Sequence, residues 1–136
     1  MSQYKNTQYK TAQGLLHRDD DLPAVVWDNG TMEWFFDGWR HRAGDLPAVV
    51  RANGDKEWYV RGKCHREDKL PAVELANGEK EWWVNGKRHR DNDLPAVVDP
   101  GGNTEWWVNG KQHRDNDLPA VKGLSLIHIS EPTRPY

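Results

Sequence analysis

The chain has 136 residues, 36% of them apolar, with a mean hydropathy of −0.98 and a net charge of −2 from 19 basic and 21 acidic side chains. That length suits one domain, and such low hydropathy excludes a membrane-spanning helix. Charges of both signs are interspersed, which excludes the basic stripe of a nucleic-acid binder and the polybasic patch of a lipid-surface binder.

The first sixteen residues, MSQYKNTQYKTAQGLL, hold no apolar leader. With a single cysteine, Cys64, no intrachain disulfide is available, so a reduced, cytoplasmic setting is expected. Gly14 keeps the phase of the glycines that follow, but Tyr9 and Lys10 stand where later segments carry Glu-Trp. Residues 1–16 therefore form a degenerate capping repeat, as a stacked array requires.

From His17 onward the same words return every 24 residues. His17, His41, His65, His89 and His113 are each followed by Arg: Arg18, Arg42, Arg66, Arg90 and Arg114. Leu-Pro-Ala-Val begins at Leu22, Leu46, Leu70, Leu94 and Leu118, and Glu-Trp recurs at Glu33, Glu57, Glu81 and Glu105. Residues 17–122 thus hold about four and a half repeats, and a period of this length means a stacked array, not one central core. Two glycine lattices share the period, most of them preceded by Asn or Asp, the short-range signal of a tight hairpin. Between them lies a seven-residue arm, residues 31–37 reading TMEWFFD. A longer arm follows, resolved as two short strands, WRHR and PAVV, with a bulge or bend at residues 42–46 to accommodate the proline. No helical periodicity appears. The expected fold is all-β: antiparallel hairpins in an elongated, twisted meander sheet.

Strand alternation assigns faces. Trp34, Trp58, Trp82 and Trp106 share a face with Phe36, Val60, Val84 and Val108, and that face is expected to be the core. Each buried aromatic removes roughly 150–250 Å² from water, too little for one repeat to fold alone against its backbone entropy. The second aromatic, Phe35, Tyr59, Trp83 and Trp107, varies within its class and is expected to form a partly exposed binding stripe for an extended peptide or sugar rings. Its structural reading is packing on neighbouring Arg and Lys stems.

After Lys122 the pattern stops. The segment 124–136 reads LSLIHISEPTRPY and looks like the translation of a sequencing adapter from assembled metagenomic reads. Residues 123–136 are set aside as a non-native, disordered tail, with the natural array expected to continue.

The runs EWYVRGKCHR, EWWVNGKRHR and EWWVNGKQHR, beginning at Glu57, Glu81 and Glu105, resemble the MORN repeat. MORN repeats also carry Glu-Trp, a Gly-Lys turn and a His. The family has Gly where this chain has Arg after His, and its pattern lacks the Asp-Leu-Pro-Ala block. The chain is similar to variant repeats of bacteria, phages and large viruses. The resemblance implies a curved sheet of hairpins used for protein contacts, dimerisation or assembly, with phospholipid as a further ligand class.

His17 with Asp21, His41 with Asp45, His89 with Asp93 and His113 with Asp117 have the look of metal half-sites. Lys69 breaks the set, and no second His or Cys lies nearby, so a structural turn with no bound metal is the favoured reading. Arg42, Arg66, Arg90 and Arg114 are expected to pair across strands with Glu33, Glu57, Glu81 and Glu105, setting register. Nucleophile elbows, phosphate loops and dinucleotide fingerprints are absent, and the carboxylates repeat without a unique pair. Sequence alone therefore predicts a non-enzymatic, cofactor-free module for protein interaction or self-association. A glycan or lipid-headgroup module using the aromatic stripe is the alternative.

Overall fold

A computed structural model describes residues 5–114 and 118–123. Among them there is no helix, and none of the chain described is long and apolar enough as a helix to cross a membrane. The main element is a ten-stranded antiparallel meander in which each strand pairs with its neighbours in chain order. It runs from Asn6–Gln8 through Val25–Trp27, Met32–Glu33, Val49–Val50, Lys56–Glu57 and onward to Val121–Lys122. Four separate two-stranded hairpins flank it, the first pairing Phe35–Phe36 with Trp39–Arg40.

The two parts meet at the repeated tryptophan. The Trp34 backbone N–H donates to the Ala48 carbonyl at 2.7 Å, continuing the main sheet, while its carbonyl accepts the His41 N–H at 3.2 Å, opening the hairpin. Trp58, Trp82 and Trp106 do the same. The seven-residue arm is thus one extended segment that changes partner at its midpoint.

This change overturns half of the expected core face. Trp34, Trp58 and Trp106 are buried, but Phe36, Val60, Val84 and Val108 are exposed, Phe36 by 53%. Alternation holds within one sheet; past the tryptophan the chain joins a different, twisted ribbon, and the side chain two residues on is carried out of the core. The buried partners of tryptophan are instead the Ala-Val pairs of the Leu-Pro-Ala-Val block: Ala24 with Val25, Ala48 with Val49, Ala72 with Val73 and Ala96 with Val97.

The two glycine lattices build different turns. At Gly30, Gly54, Gly78 and Gly102 only the glycine has positive φ, and an N–H bond closes back three residues, as from Gly30 to the Trp27 carbonyl. That is a type I turn ending in a glycine bulge. At Asp37-Gly38, Arg61-Gly62, Asn85-Gly86 and Asn109-Gly110 both residues have positive φ, the two-residue primed hairpin. Gly62 is required twice over, since a Cβ there would stand 2.4 Å from the Trp39 ring. The expected bend at residues 42–46 is a third left-handed turn. Gly44 and Asp45 have positive φ, as do Asp20 with Asp21, Asp68 with Lys69 and Asn92 with Asp93.

In the first segment Tyr9, not Lys10, takes the tryptophan place. Its N–H donates to Ala24, its carbonyl accepts from His17, and the Arg18 guanidinium lies 3.8 Å over its ring. The following hairpin is one residue longer, which accounts for the shift in alignment. The tail 124–136 lies outside the described residues.

Candidate functional site

The joint between successive repeats is built the same way each time, from three reaches of the later repeat onto the earlier one and back. The Trp34 indole N–H donates to the Asp21 carbonyl at 3.0 Å; Trp58, Trp82 and Trp106 donate likewise to Asp45, Lys69 and Asp93. The Arg42 guanidinium stacks 3.8 Å over Trp34, and Arg66, Arg90 and Arg114 stack over Trp58, Trp82 and Trp106 at 3.9, 3.7 and 3.8 Å. The Asp37 N–H donates to His17 Nδ1 at 3.0 Å, and Arg61, Asn85 and Asn109 donate in the same way to His41, His65 and His89. An Nδ1 that accepts leaves the ring proton on Nε2. That nitrogen meets Asp19 at 2.8 Å, Glu67, and Asp91 at 2.7 Å for His17, His65 and His89. The histidines thus fasten one hairpin turn to the next, and at His17, His65 and His89 an acidic side chain two residues on holds the ring there.

The arginines after histidine do not meet the glutamates of the Glu-Trp pair. Arg42 forks onto Asp21 at 2.9 and 3.2 Å, Arg66 onto Asp45 at 2.9 and 3.3 Å, and Arg114 onto Asp93 at 2.8 and 3.2 Å. The paired strands are only two residues long, so cross-strand geometry ends before the arginine, which turns back over the tryptophan instead. The shared hydrogen bond with Arg42 holds the Asp21 carboxyl below its usual range, and Arg114 does the same to Asp93. The glutamates are taken by other arginines: Glu33 by Arg40 at 2.8 Å, Glu57 by Arg51 at 2.8 Å, and Glu81 by Arg88 at 3.4 Å.

The aromatic stripe Phe35, Tyr59, Trp83 and Trp107 is half-buried. Arg40 lies between the first pair, 5.7 Å over Phe35 and 5.4 Å over Tyr59; Arg88 lies between the second pair, 5.3 Å over Trp83 and 5.1 Å over Trp107. The polar tips of three are satisfied within the same arm, across the joint between sheet and hairpin, since Tyr59, Trp83 and Trp107 donate to Glu57, Glu81 and Glu105 at 2.9, 2.9 and 3.0 Å. Burial and the nearby Glu57 carboxylate push the Tyr59 hydroxyl up to about 12. Cys64 is half-buried on the same side as the stripe, and burial, then Glu57 and Glu81, push its thiol up to about 12. At neutral pH that thiol is protonated and a poor nucleophile.

Among the described residues no three His, Cys, Asp or Glu side chains converge as a metal site. Sequence reasoning missed the exposed row Phe36, Val60, Val84 and Val108, because nothing in the residue pattern marks the change of sheet at tryptophan. Phe36 packs its ring 4.6 Å from His17 and 6.4 Å from His41. Grooves beside the row also take in exposed leucines: Leu46 near Phe36, and Leu70 and Leu94 near Val84. No protein-family model, curated protein or solved structure matches this chain.

Proposed function

We propose that the chain is a non-enzymatic, cytoplasmic repeat module for protein contact or assembly. The observation that carries this reading is the exposed apolar row Phe36, Val60, Val84 and Val108 with its neighbouring leucines, laid once per repeat on the hairpins that flank the ten-stranded sheet. Extended apolar surface of this kind marks contact sites. A row repeated at constant spacing suits an elongated partner or a second copy of the array better than it suits a single small ligand. Similarity to the MORN repeat points the same way.

A glycan or lipid-headgroup module is the second reading. It draws support from Trp83 and Trp107, which keep part of their surface in water. It is weakened by Arg40 and Arg88, which already occupy ring faces that a sugar would need.

Light scattering of the full chain over a range of concentrations tests the first reading. The expected result is a mass above the monomer that falls to the monomer in the triple variant Phe36→Ser, Val84→Ser, Val108→Ser, with circular dichroism unchanged. A monomer at every concentration whose tryptophan fluorescence responds to oligosaccharides alike at low and high salt transfers the assignment to the glycan reading. Salt-sensitive binding of anionic headgroups transfers it to lipid.

A further inference from the structure

Four left-handed turns receive an indole N–H from the next repeat, at Asp21, Asp45, Lys69 and Asp93. At three of them the receiving residue also offers a carboxylate to an arginine fork. At the fourth it is a lysine. Arg90 keeps its place, 3.7 Å over Trp82 and 3.1 Å from the Pro95 carbonyl. Among the described residues, however, no carboxylate lies within ion-pair distance of it. Burial draws its pKa below the ordinary arginine value. A guanidinium partly stripped of water, without its anion, is a group in search of one.

Lys69 is odd in a second, independent way. It holds φ 60, a conformation that Asp, Asn and Gly adopt far more readily than lysine. Its counterparts Asp21, Asp45 and Asp93 are of the tolerant kind. Backbone strain of this sort concentrates at ligand sites. Lys69 and Arg90 line one groove, whose rim is formed by Leu70, Val84 and Leu94. The acidic side chains beside it are Glu67, held by His65, Asp91, held by His89, and Asp68, which is exposed. The groove encloses about 260 Å³, below the range that takes up a drug-sized ligand and in keeping with a single side chain.

We propose that the Lys69–Arg90 groove is a carboxylate-binding site for an acidic side chain of a partner segment, which takes the place that Asp21, Asp45 and Asp93 fill at the other joints. Arg90 supplies the planar fork, Lys69 a second charge, and the leucine rim contacts apolar residues on either side of the acid. The source of the carboxylate, a peptide, rests on the interaction reading above; the chemistry of the groove does not.

The test is nuclear magnetic resonance titration of the full chain with acetyl-Leu-Asp-Leu-amide, with its Asn counterpart, with acetate and with inorganic phosphate. The Asp peptide is expected to give saturable shifts at Arg90 Nε–H and Trp82 Nε1–H and none at Arg42 or Trp34. Affinity should fall by about tenfold or more with the Asn peptide, and by a similar factor in Lys69→Asp, where the internal carboxylate returns. In Lys69→Gln, which removes one charge and adds no anion, the fall should be smaller. No saturable shift, equal binding of the Asn peptide, or unchanged affinity in Lys69→Asp would overturn the site, and tighter binding of phosphate would overturn its preference for carboxylate. Acetate bound at Arg90 with no gain from the peptide would keep the groove and sink the interaction reading instead.

Discussion

The joint at Asp21 and the joint at Lys69 share a skeleton and differ in one group. In both, an indole N–H reaches a turn carbonyl at 3.0 Å, a guanidinium covers the indole face at 3.8 or 3.7 Å, and the same guanidinium reaches a proline carbonyl at 3.1 Å. Only the first has a carboxylate for the fork. Trp34 is 7% exposed, whereas Trp82 is only half-buried. The comparison teaches that backbone carbonyls hold the geometry of a joint, and carbonyls are indifferent to which side chain stands at the turn. The carboxylate sets charge and cover.

The sharpest way to break that comparison is truncation of the two tryptophans. Trp34→Ala should cost about 3–5 kcal/mol in urea denaturation, and Trp82→Ala distinctly less. Equal losses would mean that the missing carboxylate leaves packing untouched. Next in size come the arginines. Arg42→Ala uncovers Trp34 and should cost about 1–2 kcal/mol. Arg90→Ala should cost less in the same measurement, because it forfeits no ion pair and relieves a partly buried, unpaired charge. A smaller effect of opposite sign is expected from Lys69→Asp. A turn residue suited to positive φ and a new fork onto Arg90 should raise stability by about 0.5–1 kcal/mol, seen as a higher Tm; a lower Tm would show that the lysine stabilises the joint.

The smallest effect is on acid sensitivity. The Asp21 and Asp93 carboxyls are lowered in the folded chain by their arginine hydrogen bonds. The stability they lend is therefore present above the unfolded aspartate value of about 3.9 and is lost as pH falls through the folded value. Arg42→Ala should flatten this acid limb of Tm against pH, and Lys69→Asp should steepen it. Parallel curves for the two variants would contradict the assignment of the forks.

Much of this architecture was legible in the residues. The 24-residue spacing, the Asn-Gly turns and the proline block were enough to derive an all-β meander of hairpins, and that is the fold observed. Three features were not legible, each for a physical reason. The exposure of Phe36 and its counterparts depends on a change of hydrogen-bonding partner at Trp34, which alternation cannot register. The partner of Arg42 is Asp21, 21 residues earlier, and a cross-strand rule looks only sideways. The Ala-Val core was not legible because alternation along the Glu-Trp arm ranks only that arm's own side chains and is silent on which residues the neighbouring Leu-Pro-Ala-Val strand turns toward the indole. Lys69 was visible as a break in pattern from the start, but only the fork at the other joints shows what the break removes.

The contacts of a joint span 13, 20 or 21 residues, each less than one period. Duplicating or deleting a whole period in the array therefore keeps the spacing on which every joint depends. Length in such a chain is free to change by whole periods without a change in the way successive repeats are joined.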